Sequence, residues 1–218
     1  MATRLPKGII EDEHGTRLCW WPGQDPLYRT YHDEEWGRPV TDDVRLFEKL
    51  CLEGFQSGLS WITILRKREN FRRAFAGFDP KKVARFDDQD VARLLGDASI
   101  VRHRGKITAA INNAARTLEV AEQHGSLAAF VWQFEPPPEE RPKEMTHAVL
   151  GKLATTDASV RLAKALKKQG FRFVGPTTAY AFMQAMGMVD DHIEGCVARA
   201  RVEAERDALE RPRSTAAV

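Results

Sequence analysis

Helix punctuation recurs so regularly along this 218-residue chain that a sheet has nowhere to form. Asp25-Pro26 sets a capping residue and a first-turn proline before Leu27 to His32. Thr41 or Asp42 caps a second stretch, in which Val44, Phe47, Leu50, Cys51 and Phe55 recur at helical spacing before a break from Gly54 to Gly58. A third helix is expected from about Ser60 to Ala76, a short one after Asp79-Pro80, another from Asp87 to Gly96, and a long amphipathic one from Lys106 to Gln123. The run Glu135 to Pro142, rich in proline, reads as a loop. Helices follow at Ala158 to Gln169 and Thr177 to Met186, separated by Gly170 to Pro176. No internal repeat and no alternating strand pattern of useful length interrupts this series. The expected fold class is all-α, with an N-terminal extension over 1–16, one domain over 17–197 and a charged tail over 198–218. From Val197 onward charge alternates without a wide apolar stripe, which predicts a solvated helix that frays.

Composition narrows the function classes. Hydrophobic residues make up 43% and charged residues 29%, an ordinary globular balance, and the net charge of +2 requires any nucleic-acid footprint to be local. No apolar run approaches the ~18 residues of a membrane span, and the first residues carry no signal-peptide core. Three cysteines give no disulfide framework, so a reduced, cytoplasmic protein without a membrane partner is expected.

Two pairs of potential metal ligands lie at opposite ends of the chain. Cys19 and His32 stand near the beginning, and His192 and Cys196 near the end, at a spacing that one helical turn would place on one face. Together they form the two-thiolate, two-imidazole set that zinc prefers. The alternative is two unrelated pairs with the cysteines as small core residues. A site closed by four protein ligands has no open position for water and is structural. Cys51, on the apolar face of its helix, reads as core.

The stretch Leu52 to Trp61 holds a carboxylate, Glu53, at the edge of an apolar stripe, followed by glycines and Trp61. That combination is able to floor a pocket for a flat, electron-poor ring, or equally to be a boundary glutamate beside a core tryptophan. Trp20, Trp21, Tyr28, Tyr31 and Trp36 add aromatics suited to base stacking or to packing. Gly170 to Ala179 is a tight turn between helices. Backbone N–H groups near Gly175 and Thr177 would bind a phosphate there, with Lys164, Lys167, Lys168 and Arg172 around it. Arg102 to Lys106 is a second basic turn. Both basic runs also fit plain solvated faces.

These words in this order resemble bacterial 3-methyladenine DNA glycosylases of the helix-hairpin-helix superfamily. The matching stretches are Gln24 to Tyr28, Tyr31 to Gly37, Leu52 to Trp61, Lys67 to Asn70, Arg102 to Ile107, Ala165 to Lys168, Asp191-His192 and Gly195-Cys196, so the resemblance spans about residues 17–197. The resemblance implies a helix-hairpin-helix fold whose structural zinc, on Cys19, His32, His192 and Cys196, joins the two ends. It implies Glu53 as the lesion-contacting and catalytic residue and Tyr31, Trp61 and Trp21 as pocket aromatics; Leu59, in the glycine-flanked loop, is itself expected to wedge into DNA as apolar residues do elsewhere. The implied partner is double-stranded DNA containing alkylated adenine, bound by a monomer. Asp190 stands where the wider superfamily carries a catalytic aspartate that this family lacks, so it is a second catalytic candidate. The rival readings are a glycosylase of broader alkylbase range and a zinc-stabilised, non-enzymatic DNA-binding module.

Overall fold

The computed structural model describes residues 5–216. Residues 1–4 of the expected extension and 217–218 of the expected tail lie outside them. Eleven α-helices are present among the described residues: α1 (Pro26–Glu34), α2 (Asp43–Gln56), α3 (Trp61–Ala74), α4 (Pro80–Val83), α5 (Asp88–Gly96), α6 (Arg104–His124), α7 (Leu127–Val131), α8 (His147–Leu150), α9 (Asp157–Lys168), α10 (Pro176–Ala185) and α11 (Val197–Ala208). Their starts follow from side-chain caps. Asp25 accepts the Tyr28 N–H (3.1 Å), Asp42 the Arg45 N–H (2.8 Å), and Asp87 forms a capping box with Asp90.

The fold is helical, but not wholly so. Strand β1 (Ile9–Glu11) pairs antiparallel with β2 (Arg17–Cys19), Ile9 lying opposite Cys19. Three-residue strands are too short to show alternation. Their turn is held by Asp12, whose carboxylate accepts the N–H groups of His14 and Thr16, both at 2.9 Å.

Two apolar clusters result. The larger draws Phe47, Phe55, Phe71, Phe75, Ile107, Leu162, Tyr180 and Phe182 from helices along the whole chain. The smaller joins the ends, packing Ile9, Leu18 and Cys19 against Met145, Ile193, Cys196 and Ala198. Over the described residues the tail therefore does not fray. Ala198 and Val202 of α11 are buried, and Arg206 and Arg211 both pair with Glu135, at 2.8 and 3.0 Å. Further on, Ser214 bonds His124 (2.8 Å) and the Thr215 N–H donates to the His124 carbonyl (3.1 Å). An apolar-stripe argument misses this docking because arginine pairs on a distant glutamate provide most of it. Val44 also departs from expectation: it is exposed, one residue off the buried face of α2.

Helix α6 positions everything that follows. The Lys106 ammonium is buried and donates to the carbonyls of Phe55 (3.0 Å) and Ser57 (2.6 Å), which the end of α2 leaves without helical partners. Nearly two turns later Asn112 donates to the Gly170 carbonyl (2.9 Å). Asn113 donates to the Arg172 carbonyl (2.9 Å) and accepts the Arg172 N–H (2.8 Å). The tight turn between α9 and α10 is thereby clamped onto α6. Gly187 closes α10 at φ +71°, and a Cβ there would lie 2.4 Å from backbone atoms of Arg38 and Pro39, so only glycine lets the two segments cross.

Replacing Lys106 with methionine leaves two carbonyls without their buried donor. The Lys106→Met variant is expected to lose about 2 kcal/mol of stability, read as a lower urea midpoint at unchanged slope.

Candidate active site

The walls of the main pocket come from both halves of the chain. Trp21, Tyr28, Tyr31 and Trp36 line it from the N-terminal segment, Glu53 and Gln56 from α2, Trp61 from the start of α3, and Ala181 and Gln184 from α10. Its volume is about 250 Å³, near the lower end of small-ligand cavities and suited to a single flat ring system. Of the residues expected to form a base pocket, Tyr31, Trp61, Trp21 and Glu53 are brought together here. Trp21 meets Tyr28 edge-on at 4.9 Å and Trp36 at 5.0 Å, while Tyr31 and Trp61 lie 5.4 Å apart.

Glu53 is buried, with 5% of its surface exposed, and it is not alone. Its Oε1 lies 2.8 Å from Nζ of Lys49, one helical turn earlier and equally buried. Lys49 also donates to the Tyr31 hydroxyl at 2.9 Å, and its ammonium sits 3.2 Å from the centre of the Trp61 ring. Burial pushes the Lys49 ammonium below the usual lysine range, against the pull of Glu53. Burial, and then the negative charge of Glu53, hold the Tyr31 hydroxyl well above its ordinary value, so it remains a neutral donor. Sequence reasoning missed Lys49. The available signal was a lysine in the middle of the apolar stripe of α2, four residues before the carboxylate.

A second hollow opens beside the pocket and shares Glu53, Gln56 and Ala181 with it. Ser57, Gly58, Leu59, Thr177 and Thr178 complete its lining. The exposed Leu59 and the first turn of α10 thus flank one opening. Gly175 is the N-cap of α10 with no side-chain cap, which leaves backbone N–H groups at the helix start. Lys168, in the last turn of α9, and Arg172, in the turn itself, are exposed. In the other basic turn Arg102, His103 and Arg104 are exposed, but Lys106 is committed to the end of α2.

The four expected metal ligands are also brought together, all buried. Donor atoms of Cys19, His32 and Cys196 lie within 4.8 Å of one another. The His192 ring stands 4.9 Å from that of His32. Residues 192–196 form a turn rather than the expected helical turn, with the Cys196 N–H donating to the Ile193 carbonyl (3.0 Å) and α11 starting after it. Gly195, at φ +88°, makes that turn possible. Each imidazole engages an aspartate through Nδ1, His32 with Asp33 (2.7 Å) and His192 with Asp190 (2.8 Å). Nε2 of His32 lies 3.5 Å from the Cys196 sulfur. Nε2 of His192 is buried without a hydrogen-bond partner among the described residues. The Cys196 thiol is pulled down, first by its hydrogen bond with Cys19 and then by His32, while that same contact and burial push Cys19 up.

Asp190 faces the cysteine–histidine cluster. It accepts both the backbone N–H (3.0 Å) and Nδ1 of His192, and it does not line the base pocket. Its neighbour Asp191 is fully buried and accepts hydrogen bonds from Tyr180 (2.6 Å), Gln184 (2.7 Å) and Arg141.

The sequence model of the methyladenine glycosylase family matches residues 21–200. The chain belongs to that family. It is 52% identical over 179 residues to DNA-3-methyladenine glycosylase 1 of Escherichia coli (strain K12), spanning 82% of this chain and 94% of that one. It is 45% identical over 182 residues to DNA-3-methyladenine glycosylase of Haemophilus influenzae (strain ATCC 51907 / DSM 11121 / KW20 / Rd), spanning 83% and 97%. A crystal structure of 3-methyladenine DNA glycosylase I superposes with a TM-score of 0.76 at 51% identity, over 83% of this chain and 98% of the other. A variant of 3-methyladenine DNA glycosylase I in complex with 3-methyladenine superposes with a TM-score of 0.78 at 36% identity, over 84% and 97%. The part of α11 beyond residue 200 and the segment docked on Glu135 lie outside the span matched by the methyladenine glycosylase model.

Because Asp190 faces His192, Asp190→Asn is expected to keep activity within about tenfold of wild type. A loss of ~10²–10⁴, the contribution of a general acid or base, would return Asp190 to the chemistry.

Proposed function

We propose that this methyladenine glycosylase hydrolyses the N-glycosidic bond between 3-methyladenine and deoxyribose in double-stranded DNA, leaving an abasic site in base-excision repair. The observation that carries this reading is the Glu53 carboxylate at the floor of an aromatic pocket sized for one purine. Methylation at N3 makes the attached base cationic and a good leaving group, so strong acid catalysis is unnecessary and selection is the main task. Normal adenine is neutral and held firmly. Glu53 accepts hydrogen bonds from the lesion base and complements its charge, and Tyr31 and Trp61 pack on the ring with Trp21 behind them. The Glu53 oxygen that Lys49 leaves free also favours an oxocarbenium-like transition state on the sugar.

As for enzymes generally that act on a base within a duplex, the nucleotide must leave the stack, at a cost of a few kcal/mol. Leu59, exposed beside the pocket opening, fills the vacated space. The helix-hairpin-helix formed by α9, the clamped turn and α10 takes a DNA phosphate on backbone N–H groups near Gly175 and Thr177, with Lys168 and Arg172 on the neighbouring backbone. The identity of the relatives supports this assignment of substrate.

Cys19, His32, His192 and Cys196 fit a zinc ion. Their donors are two thiols and two imidazoles, each imidazole is oriented by an aspartate, and the buried His192 Nε2 is left for a ligand. Such an ion would hold the chain ends together and take no part in hydrolysis.

Methylated duplex DNA incubated with the protein is expected to release 3-methyladenine. Release of other methylated bases at comparable rates would broaden the assignment, and binding without release would make the protein a DNA-binding module. Glu53→Gln should fold normally yet bind free 3-methyladenine about ten- to a hundredfold more weakly, the worth of a hydrogen bond to a charged group. Unchanged affinity removes Glu53 from the pocket's chemistry. Metal analysis should find about one zinc per chain, lost in Cys196→Ser; equal zinc in both proteins rules Cys196 out.

A further inference from the structure

An ammonium group has three N–H bonds, and a buried one is costly unless each finds an acceptor. Lys49 meets that demand with three groups from three helices. These are the Glu53 carboxylate on α2 (2.8 Å), the Tyr31 hydroxyl oxygen on α1 (2.9 Å) and the face of Trp61 on α3, whose centre is 3.2 Å away. All three partners line the base pocket, whereas Lys49 lies behind them, against a small hollow with Glu35, Glu48, Arg68 and Arg72. Those charges are themselves occupied, Arg68 with Glu35 (2.6 Å) and Arg72 with Glu48 (2.8 Å).

We propose that Lys49 is a positioning residue for base recognition, which fixes the donor and acceptor pattern that the pocket offers. The inference rests on the base-binding reading above. Its logic is one of hydrogen-bond polarity. The Tyr31 oxygen accepts from Lys49, so the tyrosine's own O–H is free to donate to a ligand. Oε1 of Glu53 is engaged by Lys49, which leaves its second oxygen as the acceptor for a base amino group. Through Lys49, Tyr31 and Glu53 thus present one donor and one acceptor in fixed roles, on walls that a single cation holds in register. Lys49 also supplies the counter-charge to Glu53. A ligand is therefore read by its pattern of donors and acceptors and by stacking, and not by an unpaired buried anion alone. Lys49 itself stays behind Trp61 and touches no substrate.

A merely structural lysine and a positioning one differ in coupling. Binding of free 3-methyladenine, followed by calorimetry, is expected to weaken about tenfold in Lys49→Met and about tenfold in Tyr31→Phe. In the Tyr31→Phe background the further cost of Lys49→Met should fall to about threefold or less, because the hydroxyl it orients is gone. Lys49→Gln, which keeps an N–H donor, should recover most of the wild-type affinity. Equal cost of Lys49→Met in both backgrounds overturns the proposal, as does full affinity in Lys49→Met. Should Lys49→Met fail to fold, Lys49→Gln and Lys49→Ala in the same two backgrounds decide it by the same coupling. A wild-type protein that does not bind 3-methyladenine takes down the base-binding reading and this inference with it. Wild-type binding with uncoupled losses sinks the inference alone.

Discussion

Backbone carbonyls at helix ends need partners, and in this molecule one helix provides them at both places that matter for the site. The end of α2 carries Glu53 and runs directly into the Gly58-Leu59 turn. Its last carbonyls are held by Lys106. The turn between α9 and α10 is held by Asn112 and Asn113, nearly two turns further along the same helix. Because a helix rises about 1.5 Å per residue, the spacing of these side chains on α6 fixes the distance between the base pocket and the turn beside it. A loop could not hold that distance as firmly, since its own backbone would need partners too.

That arrangement explains which parts of the fold were legible in the sequence. Caps are local chemistry, so Asp25, Asp42 and Asp87 announced their helices, and the interruption after Glu53 was visible in its glycines. The aromatics that line the pocket, and the two cysteines and two histidines that the fold brings together, were also singled out, through the resemblance more than through their spacing. What stayed hidden depends on partners far apart in the chain. Lys106 looked like one member of a basic turn because nothing nearby reveals the carbonyls it serves. The tail looked solvated because Glu135, which binds Arg206 and Arg211, lies in a proline-rich loop. Short strands at Ile9 and Arg17 carried too few residues to alternate.

The cysteine–histidine cluster and the aromatic pocket are neighbours rather than separate features. Trp21 touches the His32 ring at 5.1 Å and Tyr28 at 4.9 Å, so one indole forms a wall of both. Trp36 does the same, lying 4.7 Å from His192 while lining the pocket. Anything that disorders the cluster therefore loosens aromatic walls of the pocket directly, with no long-range coupling required. Asp190 fits this picture as the acceptor that orients His192.

The meeting of the two chain ends also sets an order of events during synthesis. Trp21 and Tyr31 emerge early from the ribosome, but Gln184, His192 and Cys196 emerge only near the end, and strand β1 packs against residues that appear last. The early segment can form its own hairpin, but its packing partners at residues 193–198 are made only after the helical body. A nascent chain that stalls before α10 has no complete pocket. The pocket is thus complete only once nearly all of the chain has been made, because its walls are drawn from both halves.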